Sequence, residues 1–285
     1  MSHPNTTVQP LPALLEPAEL AAMVDRGDII IVDTGRAATY ANVHIPGAVH
    51  LNYNRLVAGT RPAPGQLPPP GRLSRTLTEL GVSPNSQVVA YDDEGGANAA
   101  RLLWTLDVIG HRPGALLNGG LHAWANEGHP LEHTPNTPVT GDCTIQGYGP
   151  AHADMQTVNA SLNNPDAVLW DTRSAKEYSG LERYSARGGH IPGAINLEWV
   201  HCLDINRNMR LQPEARLHAL MTAQGLSPCK HIIVYCQRHH RAAHSYWVLK
   251  TLGYPRISGY AGAWAEWGND HNTPIASAPG AAIRP

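Results

Sequence analysis

Short apolar runs recur along the chain, each ending in an acidic or turn-forming residue and each followed by a longer stretch with helical spacing. Ile29-Ile-Ile-Val-Asp33 and Val168-Leu-Trp-Asp171 are of this kind, as are Gln87-Val-Val-Ala-Tyr91 and His231-Ile-Ile-Val-Tyr235. Continuous apolar runs without alternation predict strands buried on both faces, as in parallel sheets. Helices are predicted over residues 72–80, 97–109, 213–225 and 242–252, with Gly110 and Gly253 placed to terminate two of them. Strands alternating with helices predict an α/β protein built on open, mainly parallel sheets with helices on both faces.

The pattern occurs twice. Asp33-Thr returns as Asp171-Thr172, His44-Ile-Pro-Gly-Ala48 as His190-Ile-Pro-Gly-Ala194, Tyr91 as Tyr235, and Gly120-Leu-His-Ala-Trp124 as Tyr260-Ala-Gly-Ala-Trp264. The offsets are 138, 146, 144 and 140 residues, in one order throughout. Such self-similarity predicts two copies of one fold. The expected organisation is an N-terminal domain over residues 8–130, a Pro/Thr/Gly-rich linker over 131–150, and a C-terminal domain over 151–280. Residues 1–10 are expected to fray. Residues 61–71, with five prolines, read as a stiff loop within the first domain. Pro46 and Pro192 read as turn formers, and Trp264 and Trp267 as core or pocket-wall aromatics.

Composition narrows the function classes. The formal net charge of −2 and only 15% charged residues leave no basic face for nucleic acid. No apolar stretch approaches the roughly 20 residues of a membrane span, and the N-terminus has no secretory pattern. The cysteines Cys143, Cys202, Cys229 and Cys236 lack CxxC spacing, which argues against a zinc ribbon or disulfide scaffold and for a cytoplasmic protein with free thiols. Sixteen histidines predict a large gain of positive charge near pH 6.

The candidate chemistry lies at Val234-Tyr-Cys236-Gln-Arg-His-His-Arg241. Cys236 stands where a strand ends and a helix begins, the place where open α/β sheets bind ligands. Unpaired amides at a helix N-terminus favour anions, so this thiol is expected to ionise below its ordinary range. Arg238, Arg241, His239 and His240 add positive potential, which suits a nucleophile attacking an anionic substrate. An inert buried cysteine predicts apolar neighbours instead; here the next five residues are polar or basic. The first copy places Asp92 at the position of Cys236, in the acidic loop Asp92-Asp-Glu-Gly-Gly. That copy is expected to be non-catalytic and to wall one side of the pocket.

The doubled strand end, the doubled His-Ile-Pro-Gly-Ala, the six-residue loop from Cys236 to Arg241 and Tyr260-Ala-Gly-Ala-Trp-Ala-Glu-Trp267 resemble a two-domain rhodanese over essentially the full chain. The loop Cys-Gln-Arg-His-His-Arg is similar to that of a bacterial thiosulfate:cyanide branch. The resemblance implies two tandem rhodanese-like domains, only the second catalytic, with Cys236 carrying a persulfide and the amides of residues 237–241 holding the transferred sulfur. Gln237, Arg238, His239, His240 and Arg241 are then substrate-binding, with thiosulfate as donor and cyanide or a thiol as acceptor. No cofactor or metal is implied, and the family expectation is a monomer. Glu177 stands where many family members carry an arginine before the aromatic of the strand-end motif, and Arg173 and Arg187 are candidates to replace that cation. Trp199 is a candidate for the active-site mouth.

Several other readings are open. A 3-mercaptopyruvate sulfurtransferase would rely on the missing arginine and a Cys-Gly-Ser-Gly-Val-Thr loop. A cysteine phosphatase spaces Cys and Arg by five residues, against four here. A non-catalytic binding module would not need Cys236. His240 and His244, one helical turn apart, admit metal binding, without the glutamate of a His-Glu-x-x-His site.

Overall fold

The computed structural model describes residues 10–277; the fraying expected of residues 1–10 falls, but for Pro10, outside the described residues. In the first half the elements run β1 (Leu14–Leu15), α1 (Pro17–Ala21), β2 (Ile29–Asp33), α2 (Ala37–Asn42), β3 (Val49–His50), α3 (Pro70–Leu80), β4 (Gln87–Tyr91), α4 (Ala97–Val108), β5 (Ala115–Leu117) and α5 (Gly120–Asn126). The second half follows with β6 (His152–Ala153), α6 (Met155–Ser161), β7 (Ala167–Asp171), α7 (Ala175–Ser179), β8 (Ile195–Asn196), β9 (Leu203–Asp204), β10 (Arg210–Leu211), α8 (Glu214–Ala223), β11 (His231–Tyr235), α9 (Arg241–Thr251), β12 (Ile257–Tyr260) and α10 (Ala263–Trp267). The five-stranded sheets are ordered β1-β5-β4-β2-β3 and β6-β12-β11-β7-β8, and every pairing within them is parallel. The repeat in the sequence is thus a repeat in topology. The only antiparallel pair of strands among the described residues is the short arm β9–β10 of the second half, which the apolar pattern does not announce.

The repeated motifs interlock within each sheet. Tyr91 and Tyr235 end the central strands, and their hydroxyls accept the backbone N–H of Ile45 and Ile191 in the two His-Ile-Pro-Gly-Ala turns. The turn histidines bond through Nδ1 to the carbonyls of Tyr40 and Tyr178 and stack on those rings. Gly47 and Gly193 take positive φ in the same turns, which a side chain would strain.

Helices α3, α4, α8 and α9 cover the inner faces of the sheets, and the apolar core beneath them is continuous across both halves. The outer faces bury Leu20, Tyr40 and Trp124 in one half and Val158, Trp264 and Trp267 in the other. Helix α4 is buried nearly all round because it lies between its own sheet and α9. The indole N–H of Trp104 donates to the Ala151 carbonyl at 3.0 Å, and that of Trp247 to Ala13 at 2.7 Å, both across the seam. Lys250 pairs with Asp107 at 2.6 Å beside them.

Residues 131–150 form no helix or strand. Polar bonds to the first half fix their course: Gly141 N donates to the Thr78 carbonyl, Ile145 N to Ser74 Oγ and Gly149 N to the Val108 carbonyl.

The halves exchange loops. The Pro-rich stretch 61–71 of the first half reaches the loop after β11. There a Cβ on Gly65 would stand 2.3 Å from the Arg238 carbonyl oxygen, so only glycine fits. In return the arm β9–β10 and its connecting turn pack on the first half's loop 92–96, where Met209 and Trp199 meet Gly95. Arg210 of this arm pairs with Glu16 and Glu127.

Candidate active site

Strand β11 delivers Cys236 at its carboxyl end, and the chain then folds back over the sulfur. His239 takes a left-handed conformation (φ 61°) uncommon for a residue with a Cβ. This turn aims the His239 N–H at Cys236 Sγ, 3.1 Å away. The first amides of α10 hold the loop from behind, Trp264 N on the Cys236 carbonyl at 2.9 Å and Ala265 N on that of Gln237 at 3.1 Å. Cys236 itself has no exposed surface.

Charge surrounds the sulfur. Arg241 opens α9 and is gripped by both oxygens of Glu177, at 2.6 and 3.0 Å. Burial acts against the Arg241 charge, but Glu177 and the nearby Cys236 outweigh it and push the guanidinium above the usual arginine range. Burial likewise works against the Glu177 carboxylate, and Arg241 with Arg173 holds it below the usual range. Glu177, where the resemblance led us to expect an arginine, is therefore the anchor of the last loop residue. Its signal in the sequence was the capping box Ser174-Ala-Lys-Glu177, which the structure forms. Breaking a buried ion pair by removing one partner typically costs about 3 kcal/mol or more. Glu177→Ala is expected to lose about 3 kcal/mol in urea unfolding by this rule; a loss near zero would show Arg241 finding another anion.

The first half closes the other side. Arg101 of α4 is fully buried, with Nη2 donating to the carbonyls of Leu56 (3.0 Å) and Gly65 (2.9 Å) and Nη1 to that of His239 (3.4 Å). Trp104, one turn on, lies 4.2 Å centroid to centroid from the His239 ring. Tyr53, in the 3-10 turn Tyr53–Leu56, stands edge-on to His240 at 6.4 Å. These partners come from far along the chain; the one hint of them was an arginine inside the apolar run of α4.

The residues singled out from sequence divide. Gln237 is buried and donates to the Tyr184 carbonyl and Ser185 Oγ. Arg238 is exposed at the rim and enters no ion pair among the described residues. His239 is fully buried with both ring nitrogens unpartnered, and His240 is half-buried. The expectation that both rings add positive potential is therefore corrected. Burial, followed by the arginines around them, lowers His239 far below its ordinary value and His240 to about 4. Burial also lowers His152, His190 and His231, and takes His244 to about 4, so these six bind protons less readily than the composition suggested.

Arg173 and Arg187, the candidates for the missing cation, both bond within the scaffold. Arg173 is buried, its Nε and Nη2 bound to the Asp171 carboxylate and Nη2 also to the Gly189 carbonyl, with the guanidinium 4.6 Å from the Trp264 ring centre. Arg187 donates to the carbonyls of Thr273 and Trp267, fastening the 180–188 loop to the segment after α10. Trp199 packs edge-on to the buried His244 at 5.2 Å and against Gly95 of the first half, so it belongs to the seam. That placement of His244 also turns it away from a shared ligand with His240, and no cluster of three or more metal-ligating side chains occurs among the described residues. Burial pushes the Cys202 thiol up to about 12 and raises Cys143, while Cys229 is exposed before the opposite end of β11.

The matching loop of the first half shows the same cradle already filled. The Asp92 carboxylate accepts the N–H groups of Glu94, Gly96, Asn98 and Ala99 at 2.7 to 3.1 Å. A fixed carboxylate thus fills the first copy's cradle.

Known proteins share this arrangement. A family model described as a rhodanese-like domain matches residues 16–127 and again 154–270. A thiosulfate sulfurtransferase of Azotobacter vinelandii is 42% identical over 267 residues, covering 93% of this chain and 97% of that protein. A probable 3-mercaptopyruvate sulfurtransferase of Pseudomonas aeruginosa is 33% identical, covering 93% and 98%. An anaerobic ergothioneine biosynthesis enzyme from Chlorobium limicola superposes with a TM-score of 0.81 at 23% identity, over 93% of this chain and 70% of the other, a likeness of fold. The doubled sheet, the cysteine loop of its second copy and these matches agree: the chain belongs to the rhodanese family, as a tandem of two rhodanese-like domains.

Proposed function

We propose that the protein is a thiosulfate sulfurtransferase that moves a sulfane sulfur through a persulfide on Cys236. The observation that carries this reading is the cysteine sulfur facing the His239 amide inside a loop whose cations, Arg238 and Arg241, suit an anionic donor. Cys236, as thiolate, attacks the outer sulfur of thiosulfate. A Cys–S bond to that sulfur forms as the S–S bond of thiosulfate breaks, and its electron pair leaves with sulfite. Cyanide or a thiol then attacks the terminal sulfur and releases the Cys236 thiolate. Neither half-reaction needs a cofactor, and parallel initial-rate lines follow from the double displacement.

Within this reading Arg238 attracts the donor at the rim, Arg241 and the loop amides hold charge at the sulfur, and Gln237, His239 and His240 shape the loop. Residues 8–130 serve as the non-catalytic domain, 131–150 as the linker and 151–280 as the catalytic domain. A mercaptopyruvate preference has less support, because Arg173 and Arg187 are engaged in the scaffold and a carboxylate occupies the usual cation's place. The greater identity to the thiosulfate sulfurtransferase than to the mercaptopyruvate relative points the same way. Four free cysteines suit the cytoplasm. A site walled by both halves of one chain suits a monomer. No helix among the described residues is long and apolar enough to cross a membrane.

Intact-mass measurement tests the proposal. Thiosulfate should add one sulfur atom to the protein, mapped to Cys236, and cyanide should remove it. No gain with thiosulfate but a gain with mercaptopyruvate would reassign the donor, and converging rate lines would rule out the persulfide cycle.

A further inference from the structure

The first half was expected to act as a scaffold, yet it sends one charged group beneath the cysteine loop. We propose that Arg101 is a positioning residue for Cys236: its guanidinium, supplied by the non-catalytic half, fixes the loop through the His239 carbonyl and provides the buried positive charge that the sulfur anion faces. This rests on the persulfide reading above.

Buried arginines are ordinarily paired with a carboxylate, since an unpaired charge away from water is costly. Arg101 is fully buried, and among the described residues it has only backbone carbonyls and the face of Trp104 (4.7 Å) as partners. Its Nε–H has none. Burial pulls its charge below the usual arginine range, and the groups that act against this are Tyr53, Cys236 and Tyr148. Of these, the cysteine is the one to which the persulfide reading gives a negative charge during turnover. The attraction is mutual, so the cation that the anion stabilises also stabilises the anion.

The pseudo-symmetry supplies an internal comparison. At the offset that aligns Tyr91 with Tyr235, Arg101 corresponds to Ser245, whose hydroxyl only bonds back to the Arg241 carbonyl. At this position the second half therefore sends no cation toward the first half's loop. That loop needs none, because Asp92 is satisfied by four amides of its own. Cys236 receives one loop amide in the structure and lies within the field of a cation from across the seam. The groups around the sulfur from every packed element are Arg101 of α4, Tyr53 of the 3-10 turn, Glu177 of α7, Arg241 of α9, and Arg238, His239 and His240 of the loop. Tyr148 and His152 lie behind Trp104. Arg101 alone combines full charge, full burial and the absence of an acidic partner.

The test is site-resolved alkylation of Cys236 by iodoacetamide across pH, alongside kcat and KM for thiosulfate, in Arg101→Gln and Arg101→Lys. The Gln variant is expected to alkylate about tenfold more slowly at neutral pH, with the profile displaced upward by about one pH unit, the size of effect an opposite charge nearby exerts. Its kcat should fall more than its KM rises. The Lys variant keeps the charge and should keep the pH profile of the parent while losing some rate. An unchanged profile in Arg101→Gln overturns the proposal, as does a Lys profile displaced as far as that of Gln. If Arg101→Gln does not fold, a Lys profile displaced upward by about one pH unit overturns the proposal and the parent's profile kept in Lys, with a lower rate, supports it. Alkylation needs no thiosulfate, so failure of the persulfide reading, seen by mass in the parent protein, is separable from failure of this one.

Discussion

A Cys236→Ser chain should fold like its parent and lose sulfur transfer by roughly a thousandfold or more, as removal of a nucleophile commonly does. Serine is nearly isosteric, and its oxygen can still accept the His239 N–H that now points to the sulfur, so thermal stability should barely change. An alcohol oxygen cannot form a persulfide. None of the remaining thiols is placed to substitute. Cys202 is buried with its thiol raised to about 12, Cys143 is raised by burial, and Cys229 lies before the far end of β11. Turnover with thiosulfate and cyanide, measured beside the melting temperature, checks both halves of the expectation. Residual activity of even several per cent would mean that another group carries the sulfur. A binding module without chemistry would keep its function in this variant.

Acid should destabilise the fold earlier than its carboxylates require, because it holds neutral histidines away from water. His244 is the clearest case, fully buried against Gly96 and Trp199, with both ring nitrogens unpartnered and its value lowered by burial to about 4. A folded-state value below the unfolded one means that the unfolded chain binds the proton more readily. The stability from this imidazole is complete above the unfolded value of 6.5 and is lost as pH falls from there toward 4. At pH 5 the loss is about 2 kcal/mol for such a group. His240, with the same value, adds to it. Asp33 acts in the opposite sense. Burial raises its carboxyl to about 6, so it takes up a proton more readily when folded and returns about 1 kcal/mol over the same interval. Urea unfolding at pH 7 and pH 5 should therefore show a net drop. In His244→Leu that drop should shrink by about 2 kcal/mol, and an equal drop in both proteins would place the acid sensitivity elsewhere.

The architecture was legible in the sequence because strand ends and turns are local. Asp33-Thr, Tyr91 and His44-Ile-Pro-Gly-Ala each act within one sheet, and each has its copy at a nearly constant offset. Cys236 was legible for the same reason, as the start of a strand-to-helix loop with two arginines following it. What escaped were pairings across long separations. Arg101 and the His239 carbonyl are 138 residues apart, and Glu177 and Arg241 are 64. No periodicity records such meetings. Glu177 was noticed for what it lacked, an arginine's charge, whereas the structure shows it anchoring the arginine that closes the loop. For Arg173 and Arg187 the sequence showed a cation near a motif but not the acceptors that each one binds. The histidines were misread because composition counts side chains without their surroundings.

The exchange of loops at the seam has a consequence for change by mutation. A copy relieved of chemistry would ordinarily be free to drift, its errors silent. Here a single methyl added at Gly65 would press on the Arg238 carbonyl, two residues from the sulfur and in the other half of the molecule. The copy with an aspartate in its loop stays answerable for the copy with the cysteine, and the molecule presents a single target to selection where its ancestry supplied two.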